Sequence, residues 1–229
     1  MNPLFPSSVA APDVAPDLPS ELKNLNRWIV HDKQKRPYSI TTERMMIDPS
    51  DPLHWGSFAS ALTAVAIRKQ ENLGLGIALG DGLTGVDFDD CVKDSVIRTD
   101  VQAILNRIDS YAEFSLSGSG IHIFVSGWQF PSGDRNGRKV GSAEIYSGER
   151  YFTVSGKRVP GTPTTVNDRN LDWLYERIVV NREFADSPDT ANATQTVKAG
   201  KLDILSAGRI VGETPVGHPA NLDSQGLVF

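Results

Sequence analysis

A single cysteine, Cys91, stands among the 229 residues of the chain. One thiol excludes an internal disulfide and any cysteine-rich zinc centre, and it makes a cytosolic compartment the expected setting. Beside an apolar strand end, Cys91 reads as a buried thiol. Long apolar runs are also missing: no stretch approaches the ~20 residues that a helix needs to span a bilayer. The segment MNPLFPSSVAAPDVAPDLPS has neither a basic start nor a continuous apolar core, so it does not read as a signal peptide. Basic charge is scarce too. Lys and Arg number 23 against 28 Asp and Glu, a formal net charge of −5. That balance argues against tight nonspecific binding to duplex nucleic acid, where phosphate neutralisation needs an excess of cations. The distribution is uneven, however. Between Gly133 and Arg158, Arg135, Arg138, Lys139, Arg150, Lys157 and Arg158 outweigh Asp134, Glu144 and Glu149 by three charges, which leaves room for weak template binding.

What is present is the composition of a soluble globular protein, 39% hydrophobic and 22% charged. The length suits one domain of about 150–200 residues with terminal segments. Residues 1–20 read as a disordered arm, 21–184 as the folded domain, and 185–229 as a linker with a short helical segment near Lys201–Leu205. Strands are expected at Arg27–His31, Pro37–Tyr38, Leu75–Leu79, Thr84–Phe88, Ala112–Ser115, Ile121–Ser126, Ala143–Tyr146 and Tyr151–Val154. Helical stripes run through Phe58, Ala61, Leu62 and Val65 behind Ser57 as N-cap, through Val101, Ile104, Leu105 and Ile108, and through Leu171, Leu174, Tyr175 and Ile178. The strands from Ala112 to Val154 follow one another without a helix between them. That favours an α+β (mixed α/β) fold over a doubly wound parallel sheet.

Three segments carry chemistry. In Gly85-Val-Asp-Phe-Asp-Asp90, strand alternation puts Asp87 and Asp89 on one face and Val86 and Phe88 in the core. Two carboxylates so placed repel each other. Taken alone, the pair fits either a hard cation such as Mg²⁺ or a strand end running into solvent. In Ser115-Leu-Ser-Gly-Ser-Gly-Ile-His122, small residues let backbone N–H groups approach a phosphate, and His122 stands where it could donate to one. The same pattern also suits a plain hairpin turn with a solvent-facing histidine. Ala143-Glu-Ile-Tyr-Ser-Gly-Glu-Arg-Tyr-Phe-Thr-Val-Ser-Gly156 reads as a hairpin with Ser147–Arg150 as its turn. Glu144 is its candidate carboxylate and Arg150 its candidate phosphate clamp; a surface hairpin with both side chains solvated is the plainer alternative. Asp134–Lys139 reads either as an exposed loop or as a template contact.

In this order and spacing, the three segments resemble the motifs of the archaeo-eukaryotic primase superfamily. The likeness is greatest to the prim-pol domains at the N-termini of phage and plasmid replicative primase-helicases. It covers roughly residues 25–160 and includes Trp28-Ile-Val, Arg36-Pro-Tyr38, Asp51-Pro-Leu-His-Trp-Gly-Ser-Phe58 and Gly74-Leu-Gly-Ile77. It implies an RRM-like catalytic core beside a smaller N-terminal α/β subdomain. Asp87, Asp89 and Glu144 then hold two Mg²⁺ or Mn²⁺ ions, and His122 contacts the phosphates of an incoming NTP or dNTP. Ser117, Gly118, Ser119 and Gly120 form the loop around those phosphates, with Arg150 as a further phosphate contact. The implied activity is DNA primase and DNA polymerase on a single-stranded template, with a helicase domain on the same polypeptide, no zinc and no membrane. A metal-dependent nuclease would use the same residue types, and a catalytically inactive nucleotide- or strand-binding module is the non-enzymatic alternative.

Overall fold

The computed structural model describes residues 18–41, 45–131 and 137–185. The arm up to residue 17, the segment from 186 onward with its expected helix near Lys201–Leu205, and Asp134–Asn136 lie outside the described residues. Two antiparallel sheets with helices packed on them make the α+β fold expected from the strand succession. Among the described residues, no helix is long and apolar enough to cross a membrane.

The elements in chain order are α1 (Ser20–Lys23), β1 (Trp28–His31), β2 (Pro37–Tyr38), α2 (Phe58–Ile67), β3 (Gly74–Ala78) and β4 (Leu83–Phe88). There follow β5 (Val92–Lys93), β6 (Val96–Ile97), α3 (Thr99–Ile108), β7 (Ala112–Phe114), β8 (Ile121–Ser126), β9 (Gly137–Val140), β10 (Ala143–Tyr146), β11 (Tyr151–Val154) and α4 (Asp172–Tyr175). The five-stranded sheet has the order β7-β8-β4-β10-β9, and the four-stranded sheet β11-β3-β1-β2. Alternation divides the five-stranded sheet cleanly. Val86, Phe88, Ile121, Ile123, Val125 and Ile145 join Val101, Ile104, Leu105 and Ile108 of α3 in one buried cluster. The opposite face carries Phe124 into a second cluster with Trp28, Leu75, Ile77, Phe152 and Val154 of the four-stranded sheet.

The Ser57 side chain caps α2 by accepting from Ser60 N at 3.1 Å, as its position predicts. The last helical stripe is shorter than its pattern suggests. After Tyr175 the backbone widens, with Asn181 N donating to Glu176 O, five residues back, at 2.8 Å. The β5–β6 hairpin is absent from the sequence reading because its turn residues, Asp94 and Ser95, adopt positive φ (49° and 64°) without glycine.

Two expectations need correction. Ser147–Arg150 does not close a hairpin. β10 already pairs with β4 on one side and β9 on the other, so no edge is left for β11, which pairs with β3 in the other sheet. The outer strand of the smaller sheet therefore comes from residues 151–154 rather than from the N-terminal region. Second, of the Asp134–Lys139 segment, expected as an exposed loop or a template contact, residues 137–139 are not loop but belong to the edge strand β9. The turn at Gly80-Asp81-Gly82 also crosses between sheets, and it runs beside the other crossing. A Cβ at Gly80, which has φ +120°, would lie 3.6 Å from Gly148 Cα and from the Ser147 carbonyl.

Candidate active site

The site is a row across the five-stranded sheet. Strand register sets Lys139 opposite Glu144, Glu144 opposite Asp87, Asp87 opposite His122, and His122 opposite Glu113. One ionisable side chain from each strand thus lies on the same face, because opposite residues of an antiparallel pair point the same way. The next row along reads Tyr111, Phe124, Gly85, Tyr146 and Gly137. It is apolar, and Gly85 leaves room for Phe152 from the other sheet: a Cβ there would stand 2.5 Å from the Phe152 ring. The Phe152 ring in turn lies against His122, centroids 4.9 Å apart. Side-chain exposure along the ionic row runs from 0% at Glu113 and 5% at His122, through 17% at Asp87 and 12% at Glu144, to 49% at Lys139. The row therefore opens to solvent at the β9 edge.

Asp87, Asp89 and Glu144 come together as the sequence predicts, each offering an oxygen within 4.8 Å of the others. Asp89 sits one pleat beyond Asp87, its N–H bonded to Ser142 O at 2.8 Å. Asp87 Oδ1 is buried without a hydrogen-bond partner, an orphaned acceptor that a cation would satisfy. Three hard carboxylate oxygen donors suit Mg²⁺ or Mn²⁺. Burial pushes the Asp87 carboxyl up to about 6; His122 opposes this, and the charges of Asp89 and Glu144 add to it.

Two members of the row are not site residues in the sequence reading: Glu113, and Lys139, which reads there as loop or template contact. Lys139 Nζ donates to Asp89 Oδ2 at 2.8 Å and also to Glu144 Oε1. Burial works against its charge, but those two carboxylates override that and raise the ammonium above the ordinary lysine range. Glu113 is fully buried. It accepts from Tyr111 Oη (3.0 Å), Ser155 N (2.9 Å) and Gly156 N (2.9 Å), tying β7 to the end of β11. Its Oε1 lies 3.7 Å from His122 Nδ1, while His122 Nε2 lies 3.8 Å from Asp87 Oδ2. Both distances are too long for hydrogen bonds. Burial alone would lower the histidine's pKa; the carboxylates of Glu113 and Asp87 on either side reverse that and raise it. A third missed group, Lys35, adds positive potential at Asp87 and His122 from the turn between β1 and β2. Its carbonyl accepts from Tyr151 Oη.

The Ser115–Gly120 loop folds on itself and docks on the end of β4. Ser115 N donates to Gly120 O at 2.8 Å, Gly120 N to Ser115 Oγ at 3.0 Å, and Ser119 Oγ to Asp90 Oδ1 at 3.3 Å. Gly120 is required there, since a Cβ would stand 2.9 Å from the Phe88 carbonyl. Ser117 and Gly118 are exposed at the tip. Arg150 lies apart from the carboxylates: its guanidinium sits 5.0 Å from the Tyr146 ring centre and donates to Tyr146 Oη at 3.4 Å, one row from Glu144. Cys91 is buried as expected, with Sγ donating to Phe88 O at 3.2 Å, and burial pushes its thiol up to about 12.

No protein-family model matches the chain. The chain is 28% identical over 184 residues to the DNA primase-polymerase of Nitratiruptor phage NrS-1, an alignment covering 77% of this chain and 25% of that protein. The chain thus spans about a quarter of the length of the relative it matches. Likeness over so much of the chain supports a prim-pol domain.

Proposed function

We propose that this prim-pol domain, residues 21–184, makes and extends primers on single-stranded DNA by metal-assisted nucleotidyl transfer. The observation that carries the reading is the convergence of Asp87, Asp89 and Glu144, with a buried unpaired oxygen on Asp87, beside a buried histidine. Two Mg²⁺ or Mn²⁺ ions held by these carboxylates would bind the triphosphate and acidify the attacking 3′-hydroxyl for in-line displacement at the α-phosphorus. His122, its pKa raised between Glu113 and Asp87, donates to a phosphate oxygen and offsets charge that grows in the transition state. Ser117, Gly118, Ser119 and Gly120 border the same phosphates at the end of β4, and Arg150 adds charge from the Tyr146 side. The nucleotide is an NTP or dNTP, and the single-stranded template passes the basic residues of 135–139 with contacts to its backbone. A helicase domain on the same polypeptide and a cytoplasmic location complete the proposal.

Replacing Asp87 and Asp89 together by Ala should abolish primer synthesis and extension while leaving the circular dichroism spectrum unchanged. Polymerisation by that double variant in the presence of Mn²⁺ would sink the reading. Degradation of labelled DNA by the wild type without any nucleotide would point to a nuclease instead.

A further inference from the structure

The ionic row contains a cation of its own, to which the proposed reaction assigns no part beyond the basic template path of 135–139. Lys139 bridges Asp89, at 2.8 Å, and Glu144, two of the three carboxylates that would hold metal. Its position is set by the backbone, because β9 places it directly opposite Glu144 on the face shared with Asp87 and His122. The environment also distinguishes it from an ordinary surface ion pair. Asp87 and Glu144 are mostly buried, and three carboxylates within 4.8 Å of one another repel strongly unless a positive charge intervenes. Lys139 supplies that charge on a flexible, half-exposed side chain that can swing into water when a stronger cation arrives.

Resting on the nucleotidyl-transfer reading, we infer that Lys139 is the resident counter-ion of the carboxylate triad. It occupies Asp89 and Glu144 in the metal-free protein and competes there with divalent ions. Once displaced, it turns its ammonium to the phosphates of the incoming nucleotide. Metal loading is then an exchange rather than an addition. One divalent ion in place of Lys139 leaves an ionised triad one charge negative. A second ion leaves the site positive, and a triphosphate is the ligand that restores the balance.

Calorimetric titration with MnCl₂ alone, without nucleotide, tests the exchange on Lys139→Met, which keeps length without charge, and on Lys139→Arg, which keeps the charge. The Met variant should bind its first Mn²⁺ on the order of tenfold more tightly than wild type, since a repelling charge at contact distance is gone. In EDTA it should melt below wild type and gain more from added Mn²⁺, whereas the Arg variant should follow wild type. In primer extension the Met variant should raise the KM for deoxynucleotide while kcat stays within severalfold. Mn²⁺ affinity in Lys139→Met equal to or weaker than wild type overturns the exchange, and an unchanged KM overturns the phosphate contact. Should the Met variant not fold, Lys139→Gln is read by the same criteria. A wild type that binds no Mn²⁺ overturns both this inference and the nucleotidyl-transfer reading. A wild type that binds Mn²⁺ and extends primers, beside an unaltered Lys139→Met affinity, overturns the role of the lysine alone.

Discussion

The two main sheets each bury a strand histidine, and their pKa values are shifted in opposite directions. His31 at the end of β1 is 3% exposed and His122 on β8 is 4% exposed, so solvent access cannot separate them. Their cross-strand neighbours do. His31 lies opposite Gly74, where a Cβ would come within 2.5 Å of the imidazole. Its Nδ1 meets the Asp32 carbonyl at 2.8 Å and its Nε2 has no partner. Burial therefore prevails, and the pKa falls below the ordinary histidine value. His122 lies between two carboxylates, which override the same burial and raise its pKa. The pair shows what the five-stranded sheet adds: a row of acids that favours the charged form of a buried imidazole.

The largest expected effect breaks that contrast from the acid side. Glu113→Gln removes the charge behind His122 while keeping its shape, and primer extension should fall about 10–100-fold, as when a ligand's supporting group is lost. The His122 pKa, followed by ring NMR, should move down towards the behaviour of His31; an unchanged value would show that Asp87 alone raises it. A smaller effect comes from the seam between the sheets. Gly85→Ala drives a methyl into Phe152 and Leu79 and should cost about 1–3 kcal/mol in urea unfolding. A neutral result would mean that Phe152 can withdraw without loss and does not position His122. The smallest effect sharpens the contrast through pH. Because the folded pKa of His31 is lowered, the unfolded chain binds more protons below about pH 6.5, and stability falls as the pH drops through that window. His31→Gln should remove that part of the loss between about pH 6.5 and 5 in thermal melts. An identical pH slope in the variant would contradict the depressed pKa.

Local rules made much of this legible. Strand alternation alone set Asp87 and Asp89 on one face, and the α3 stripe emerged buried at all four positions. What stayed hidden depended on which strands become neighbours. Glu113, in Tyr-Ala-Glu-Phe, looks like any solvent-facing strand position until β7 is laid beside β8. Lys139 sits in a polar stretch between glycines that reads as loop, and its role exists only because β9 takes the edge of β10. The same nonlocal choice undid the expected hairpin at Ser147–Arg150: a short polar turn between two apolar strands signals a hairpin locally, but occupied edges decide pairing.

The account stands or falls on the carboxylate row acting as a metal-dependent transfer site. The most direct measurement is Mn²⁺ titration of wild type and Asp87→Asn, followed by extension of a primed single-stranded template with and without Mn²⁺. Wild type should bind the ion and extend primers only in its presence. Asp87→Asn should lose extension on the order of 10³-fold and bind the ion much more weakly. Extension by wild type without any divalent ion, or at wild-type rate by Asp87→Asn, would contradict it.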